Sequence, residues 1–433
     1  MSFSFSFSGD DIEEDEEHSQ YDPSATITTS LKNATLDPTP SPTVTIPPKK
    51  HTLSDLLQSL PDQLSYNYLD VPLHSDNTNQ NGNSRSSLSG LARIIRIPRR
   101  SLFDIRQQLM HESDLDVDPD PDTTPTTSDT ATATATTATA TTHESNRTAH
   151  LLSGLETGDL STGIYEGGFK TWECAVDLAS FAATKLESGE GRRRAETWHV
   201  IELGAGSAVP SLVMLRQILA ERGVGGPRGA GDSVGGKVRF TLCDYNEDVL
   251  RLCTGVNVFL TVVLALGLEK GGIHGRDGTE VEEEEEEQEG DIEVNEDMVQ
   301  QCLNTLRKAN IEIDFISGAW GDEFVELLHE PKESAGASKT HERTDEVLVL
   351  ASETIYEPRS LAVFSRTVLD ILNAAKERGK AEAYVAAKKV YFGVGGGVAE
   401  FEEETRKIGG GTKIVLDVEG AGVGRVVLDV IAG

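Results

Sequence analysis

Glu202-Leu203-Gly204-Ala205-Gly206 ends one apolar run, Trp198-His199-Val200-Ile201, and leads into another. A strand, a glycine turn and a helix is the expected reading. Gly204 and Gly206 can take dihedrals closed to other residues and can let a ligand approach the backbone. Further along, Phe240-Thr241-Leu242-Cys243 ends in Asp244, an acid that a second parallel strand would present to a ribose diol, with Tyr245 and Asn246 beside it. The chemistry this unit serves is the holding of a nucleotide-shaped cofactor.

Other clusters contain residues that could act on such a cofactor or its co-substrate. Gly167-Gly168-Phe169-Lys170 precedes Thr171-Trp172-Glu173-Cys174-Ala175 at the start of an expected helix, whose free amides could receive a carboxylate such as that of methionine. Ser317-Gly318-Ala319-Trp320 offers an aromatic that either packs near an adenine or covers the sheet. Ser352-Glu353-Thr354-Ile355-Tyr356 follows an apolar run, at the carboxyl edge where open α/β sheets bind ligands. Tyr391-Phe392-Gly393-Val394-Gly395-Gly396-Gly397 reads as a flexible turn or as a close-fitting lid over substrate. A glycine turn alone also occurs in dehydrogenases and as plain tight packing. Here Val209 stands in the third-glycine slot of Gly-x-Gly-x-x-Gly and the chain closes in a hairpin pattern, which suits S-adenosylmethionine better than a dinucleotide.

The elements that must position these residues are legible from period and turn chemistry. Helices are expected at 171–186, at 207–221, after Asp244 and at 360–378. Strands are expected at 198–203, 237–243, 311–316, 346–351 and 383–391, with a closing pair at 413–418 and 425–431. Strands alternating with helices predict a Rossmann-like, doubly wound α/β sheet in which the hairpin supplies one antiparallel strand. That domain should span 151–433, with disordered inserts at 223–236 and 271–297, the second containing the run Glu282 to Glu287. Residues 1–150 read as a largely disordered, acidic and Ser/Thr/Pro-rich region with short amphipathic segments at 51–70 and 91–110.

A net charge of −33 over 433 residues argues against direct, sequence-specific nucleic-acid binding and against anionic membranes, and favours a basic protein partner. Cys174, Cys243, Cys253 and Cys302 lack disulfide or zinc spacing, so no metal is expected and a reducing compartment fits. The amino terminus has no basic, continuously apolar leader, and Val256 to Leu268 is too short to span a bilayer, so it reads as a buried helix. The arginines of segment 91–110 read more readily as a solvated helix face than as the nuclear-import patch they loosely match, and cytoplasm and nucleus are the expected locations.

In order, the segment from Thr162 to Cys174, Asp244-Tyr245-Asn246, Ser317 to Trp320, Ser352 to Tyr356 and Tyr391 to Gly397 resemble the histidine protein methyltransferase family, within the seven-strand (class I) S-adenosylmethionine-dependent methyltransferases. The resemblance extends from Asp159 to the end, and segments 51–70 and 91–110 are similar to its fungal members. It implies a seven-stranded sheet and a cofactor held by Thr171 to Ala175, Glu202, Gly204, Gly206, Asp244 to Asn246, Gly318 to Trp320 and Ser352. It also implies action on the tele nitrogen of a histidine in large-subunit ribosomal protein L-three; a monomer is expected. Tyr356, Gly395 and Gly396 would face the substrate, and Glu353, the candidate catalytic residue, and the carbonyls of the Gly393 to Gly397 loop are the candidates for holding the imidazole tautomer. Ala205 and Ala208-Val209-Pro210 depart toward related lysine methyltransferases, whereas Ser352, where those relatives carry Asp, argues for histidine. A protein-lysine methyltransferase and a non-catalytic escort of a ribosomal protein are the alternatives.

Overall fold

Parallel strands covered by helices on both faces are apolar along most of their length, and the five parallel strands of this chain follow that pattern toward their carboxyl ends. The computed structural model describes residues 46–73, 93–115, 151, 168–188, 197–225, 236–267, 288–329, 345–392, 395–419 and 422–433. Its elements begin with β1 (Lys49–Thr52), β2 (Gln63–Pro72), β3 (Ile94–Arg100), α1 (Leu102–Leu115) and α2 (Glu173–Ser188). There follow β4 (Thr197–Leu203), α3 (Val209–Glu221), β5 (Lys237–Asp244) and α4 (Glu247–Ala265), whose stretch Leu250–Thr254 is wound as a π-helix. Then come β6 (Glu289–Glu293), α5 (Glu296–Lys308), β7 (Ile311–Ser317), α6 (Asp322–His329) and β8 (Asp345–Ser352). The chain finishes with α7 (Pro358–Lys376), β9 (Gly379–Lys388), α8 (Val398–Lys407), β10 (Gly411–Val418) and β11 (Arg425–Ile431).

The main sheet runs β1-β7-β5-β4-β8-β9-β11-β10. Strands β7 through β9 are mutually parallel, and β11 runs antiparallel to both β9 and β10, as the closing hairpin requires. The seven expected strands are therefore all present. An eighth, β1, comes from the region expected to be largely disordered and pairs antiparallel with β7, so the sheet has two reversed strands where one was expected. One apolar core, including Leu178, Val213, Phe240 and Phe259, fills one face; a second, including Phe324, Val349, Phe364 and Phe401, fills the other. Helix α4 is apolar and long enough to cross a membrane, yet it is buried in the first core with Phe259, Val262 and Val263 fully covered.

A second sheet, β3-β2-β6, corrects three expectations. Segments 51–70 and 91–110 contribute strands as well as short helices, and the end of the expected insert at 271–297 supplies β6 and the start of α5. The reason is long-range pairing: Leu64 sits opposite Ile292, and both are buried, so neither strand shows its partner in local sequence. Glu282 to Glu287 and residues 226–235 lie outside the described residues, as do most of 1–150 and the stretch Thr162 to Gly167. The arginines read as a solvated helix face or an import patch are engaged in structure. Arg96 pairs with Asp70, Arg99 donates to Asn67, and the buried Arg100 is held by Asp104, Gln108 and the Leu252 carbonyl.

Candidate active site

The parallel register brings the loop starts to one level, with Leu203 opposite both Cys243 and Ala351, Cys243 opposite Ile316, and Ser352 opposite Ala386. At that edge Gly204 and Gly206 are left-handed, with φ of 67° and 51°. A Cβ on Gly204 would lie 2.7 Å from the Thr354 methyl, and one on Gly206 would lie 3.0 Å from the Gly168 carbonyl, so both positions require glycine twice over. The turn is fastened from several sides. Ala205 N–H donates to the Cys243 carbonyl at 2.7 Å and Gly206 N–H to Asp244 Oδ2 at 3.0 Å. Thr254 Oγ1 donates to the Gly206 carbonyl at 2.6 Å, and the hydroxyls of Ser207 and Thr171 are 2.9 Å apart.

Glu202 takes a different place from the one expected of a cofactor ligand. It is fully buried under the first turn of α3 and accepts the Ser211 N–H at 3.0 Å, so its contact is with the helix start. Burial raises its carboxyl to about 8, outweighing that hydrogen bond. Because the folded-state value lies above the unfolded one, this residue's contribution is present at low pH and is lost as pH rises from about 4.5 to about 8. Glu202→Gln, which still accepts from Ser211, should therefore flatten the pH dependence of the melting temperature across that window. An unchanged slope would show that another group carries it.

Asp244 is buried, with Oδ2 accepting the Gly206 N–H and Oδ1 accepting the Asn246 N–H. Tyr245 is partly exposed beside it, and Asn246 Nδ2 is buried without a hydrogen-bond partner among the described residues. Gly318 donates to the carbonyls of Asp244 and Tyr245, which joins this turn to the acid loop. Ala319 and Trp320 are partly exposed; the Trp320 indole packs 4.9 Å from the Phe364 ring, and its Nε1 has no partner among the described residues. Thr171 and Trp172, just before α2, are partly exposed and Glu173, its first residue, is exposed, whereas Cys174 and Ala175 are buried in the core. Lys388 bridges this turn to β9, 3.3 Å from Glu173 and over the Trp172 ring.

Past Ser352, a partly exposed strand end, Glu353 is held at φ 54°, a conformation that is uncommon for a non-glycine residue and clusters at functional sites. Its N–H donates to the Ala386 carbonyl at 3.0 Å. Its Oε2 accepts a very short hydrogen bond from the Tyr391 hydroxyl, which itself accepts the Lys388 N–H at 3.2 Å. The Cys174 thiol lies beside the same carboxyl as a weak donor, and Oε1 has no nitrogen or oxygen donor among the described residues. Burial pushes the Glu353 carboxyl above the usual carboxylate range, and burial together with Glu353 pushes up both the Cys174 thiol and the Tyr391 phenol.

Tyr391 was expected as the end of a strand. It sits after β9 in the glycine loop, where its N–H meets the Gly396 carbonyl and its ring lies 6.3 Å from that of Tyr356. Gly396 packs on Tyr356, since a Cβ there would fall 2.2 Å from the Tyr356 carbonyl, while Gly395 is exposed at φ 94°. Gly393 and Val394 lie outside the described residues. The roles of Tyr391, Cys174 and Thr354 escaped sequence reasoning; the only signal was their position inside or next to the motifs.

The strand order β7-β5-β4-β8-β9-β11-β10 with β11 reversed, a glycine turn after β4 and an acid closing β5 define a class I S-adenosylmethionine-dependent methyltransferase. No family model matches the chain. It is 30% identical over 411 residues to Histidine protein methyltransferase 1 of Saccharomyces cerevisiae, spanning 93% of this chain and 90% of that protein. It is 27% identical over 359 residues to the Schizosaccharomyces pombe protein of the same name, spanning 82% and 76%. The Bos taurus homolog is 27% identical over 246 residues, spanning 57% and 50%. The chain belongs to the histidine protein methyltransferase family. Among solved structures, magnesium protoporphyrin IX methyltransferase from Synechocystis with bound SAH is similar at 11% identity and a TM-score of 0.27, over 60% of this chain and 83% of that one. That likeness is loose, and the fold class rests on the strand order.

Proposed function

We propose that the chain transfers the methyl group of S-adenosylmethionine to a ring nitrogen of a protein histidine. The observation that carries this reading is the strained Glu353, paired to Tyr391, at the sheet edge that also bears the glycine turn. The residues present fit the donor. The turn admits no side chain at Gly204 or Gly206, and the buried Asn246 Nδ2, which has no hydrogen-bond partner among the described residues, offers a polar partner. Gly204, Gly206, Asp244 and Asn246 would hold its nucleoside, and Thr171 with Trp172 at the start of α2 would face its amino-acid end. Bound there, S-adenosylmethionine supplies an electrophilic methyl on a sulfonium.

The protein's own task is to align a nucleophile and to keep water out. An imidazole of ordinary pKa, about 6.5, is mostly neutral near pH 7 and has a free lone pair. Glu353 would accept the N–H of the other ring nitrogen, so that the attacking nitrogen carries no proton. As that ring gains charge on methylation, the same carboxylate would take the proton, and its raised pKa supports that role. Tyr391 holds Oε2 and favours the ionised form. Tyr391→Phe should therefore lower turnover about tenfold, the worth of a hydrogen bond to a charged group, and move the acid limb of the kcat profile to higher pH. An acid limb left in place would detach Tyr391 from Glu353.

We assign the substrate as a basic protein, ribosomal protein L-three by the family resemblance, modified on the tele nitrogen by a monomeric enzyme in cytoplasm and nucleus. A net charge of −33 supports a basic partner over nucleic acid or membrane. Incubating the purified chain with labelled donor and L-three, then mapping the modified residue by mass spectrometry, tests the assignment. Label on lysine would move the chain to the lysine methyltransferases, and no label would favour an escort role.

A further inference from the structure

The second sheet reaches the glycine turn through buried polar contacts. The N–H of Arg100, the last residue of β3, donates to Asn257 Oδ1 at 2.7 Å, and Asn257 Nδ2 donates to the Ser207 carbonyl at 3.1 Å. Asn257 is fully buried; its Oδ1 is met by the Arg100 N–H, and its Nδ2 is shared between the Ser207 carbonyl and the Cys253 sulfur at 3.5 Å. Just before it, the π-helical stretch of α4 brings Thr254 onto the Gly206 carbonyl, and such stretches concentrate at functional sites.

At the far edge β1 makes the equivalent attachments. His51 Nε2 is 2.8 Å from Ser317 Oγ, and Lys49 Nζ is 2.9 Å from Glu247 Oε1, at the start of α4. The Ala319 N–H donates to the Ile46 carbonyl at 2.9 Å, and Pro47 lies so close over Gly318 that a Cβ there would be 2.6 Å from its carbonyl oxygen. The turn before Trp320 carries direct contacts from the amino-terminal part of the described chain, the acid loop is flanked by the Lys49–Glu247 pair, and the glycine turn is reached through Asn257.

We infer that residues 46–73 and 93–100 form a working wall of the donor site, with Asn257 as the positioning residue that couples the second sheet to the glycine turn. Docking of these strands and binding of the donor are then linked equilibria, each strengthening the other by the same factor. The inference rests on the donor reading above. Apolar packing alone would hold the strands against the core without regard to the ligand. Hydrogen bonds to the backbone of the ligand loops make the two events interdependent.

The test uses the full chain with S-adenosylhomocysteine as probe. Saturating probe should slow amide hydrogen exchange in β2 and β3 about tenfold more than in β10, the opposite edge strand, which shares only the global stabilisation that any bound ligand gives. Asn257→Leu should bind the probe about tenfold more weakly at a melting temperature that keeps the protein folded during titration, as loss of a buried hydrogen bond predicts. If that variant does not fold, exchange in the unaltered chain decides. Exchange in β2 and β3 slowed no more than in β10, with normal probe binding, would overturn this inference alone. A chain that binds no S-adenosylhomocysteine would overturn the donor reading with it.

Discussion

Gly204→Arg is expected to remove measurable binding of the methyl donor, a loss of at least about a hundredfold, or ~3 kcal/mol. A side chain at φ 67° costs ~1–2 kcal/mol in backbone strain alone. The new Cβ would meet the Thr354 methyl at 2.7 Å, which forces the turn or the Ser352 to Tyr356 segment to shift. The guanidinium then fills space into which only bare backbone projects in the native turn. Gly204→Ala separates the two effects, because it keeps the strain and the clash without the added bulk, and its loss should be smaller. Gly204 is partly exposed at the end of β4, so the sheet beneath should persist. Titration with S-adenosylhomocysteine, with circular dichroism as the control for folding, reads the result. Native affinity in the arginine variant would remove the turn from the site.

Glu353→Gln is expected to lower kcat by about a hundredfold or more, within the range for loss of a general base, while affinity for the donor stays within about twofold. The amide keeps the volume of the carboxyl and one acceptor, which the Tyr391 hydroxyl would claim as it now claims Oε2. The amide's NH2 group would then face the ring N–H of the substrate, donor against donor, and would favour the tautomer whose attacking nitrogen is protonated. Nor can an amide accept the proton that methylation releases. Single-turnover rates at saturating donor and protein substrate separate this loss from weaker binding. Turnover equal to that of the native chain would mean that Glu353 neither holds the tautomer nor takes the proton.

Both expectations draw on positions whose motifs are visible in sequence, but their weight comes from contacts that are not. Gly204 is recognisable as a turn glycine; that Thr354 closes over it depends on β4 and β8 lying side by side. Glu353 is recognisable as an acid at a strand end. Its partner Tyr391 is 38 positions away and was read as part of a strand, because the apolar pattern continues past Lys388 where the ladder stops. Glu202 carries the type and spacing of a cofactor ligand, yet it faces the start of α3 and holds Ser211.

The sequence by itself determined the alternation of strands and helices, the glycine turn, the acid after β5 and the closing hairpin. Each of these follows from the side-chain period and backbone freedom of a short stretch, which no distant residue has to supply. Only the tertiary structure decided that β1 joins the sheet beside β7, that β2 and β6 pair across the chain, and that Asn257 ties β3 to the cradle. A strand's partner and a buried amide's acceptors depend on which surfaces meet when the core closes. That choice is made by long-range burial, to which the local pattern contributes only one of the two faces.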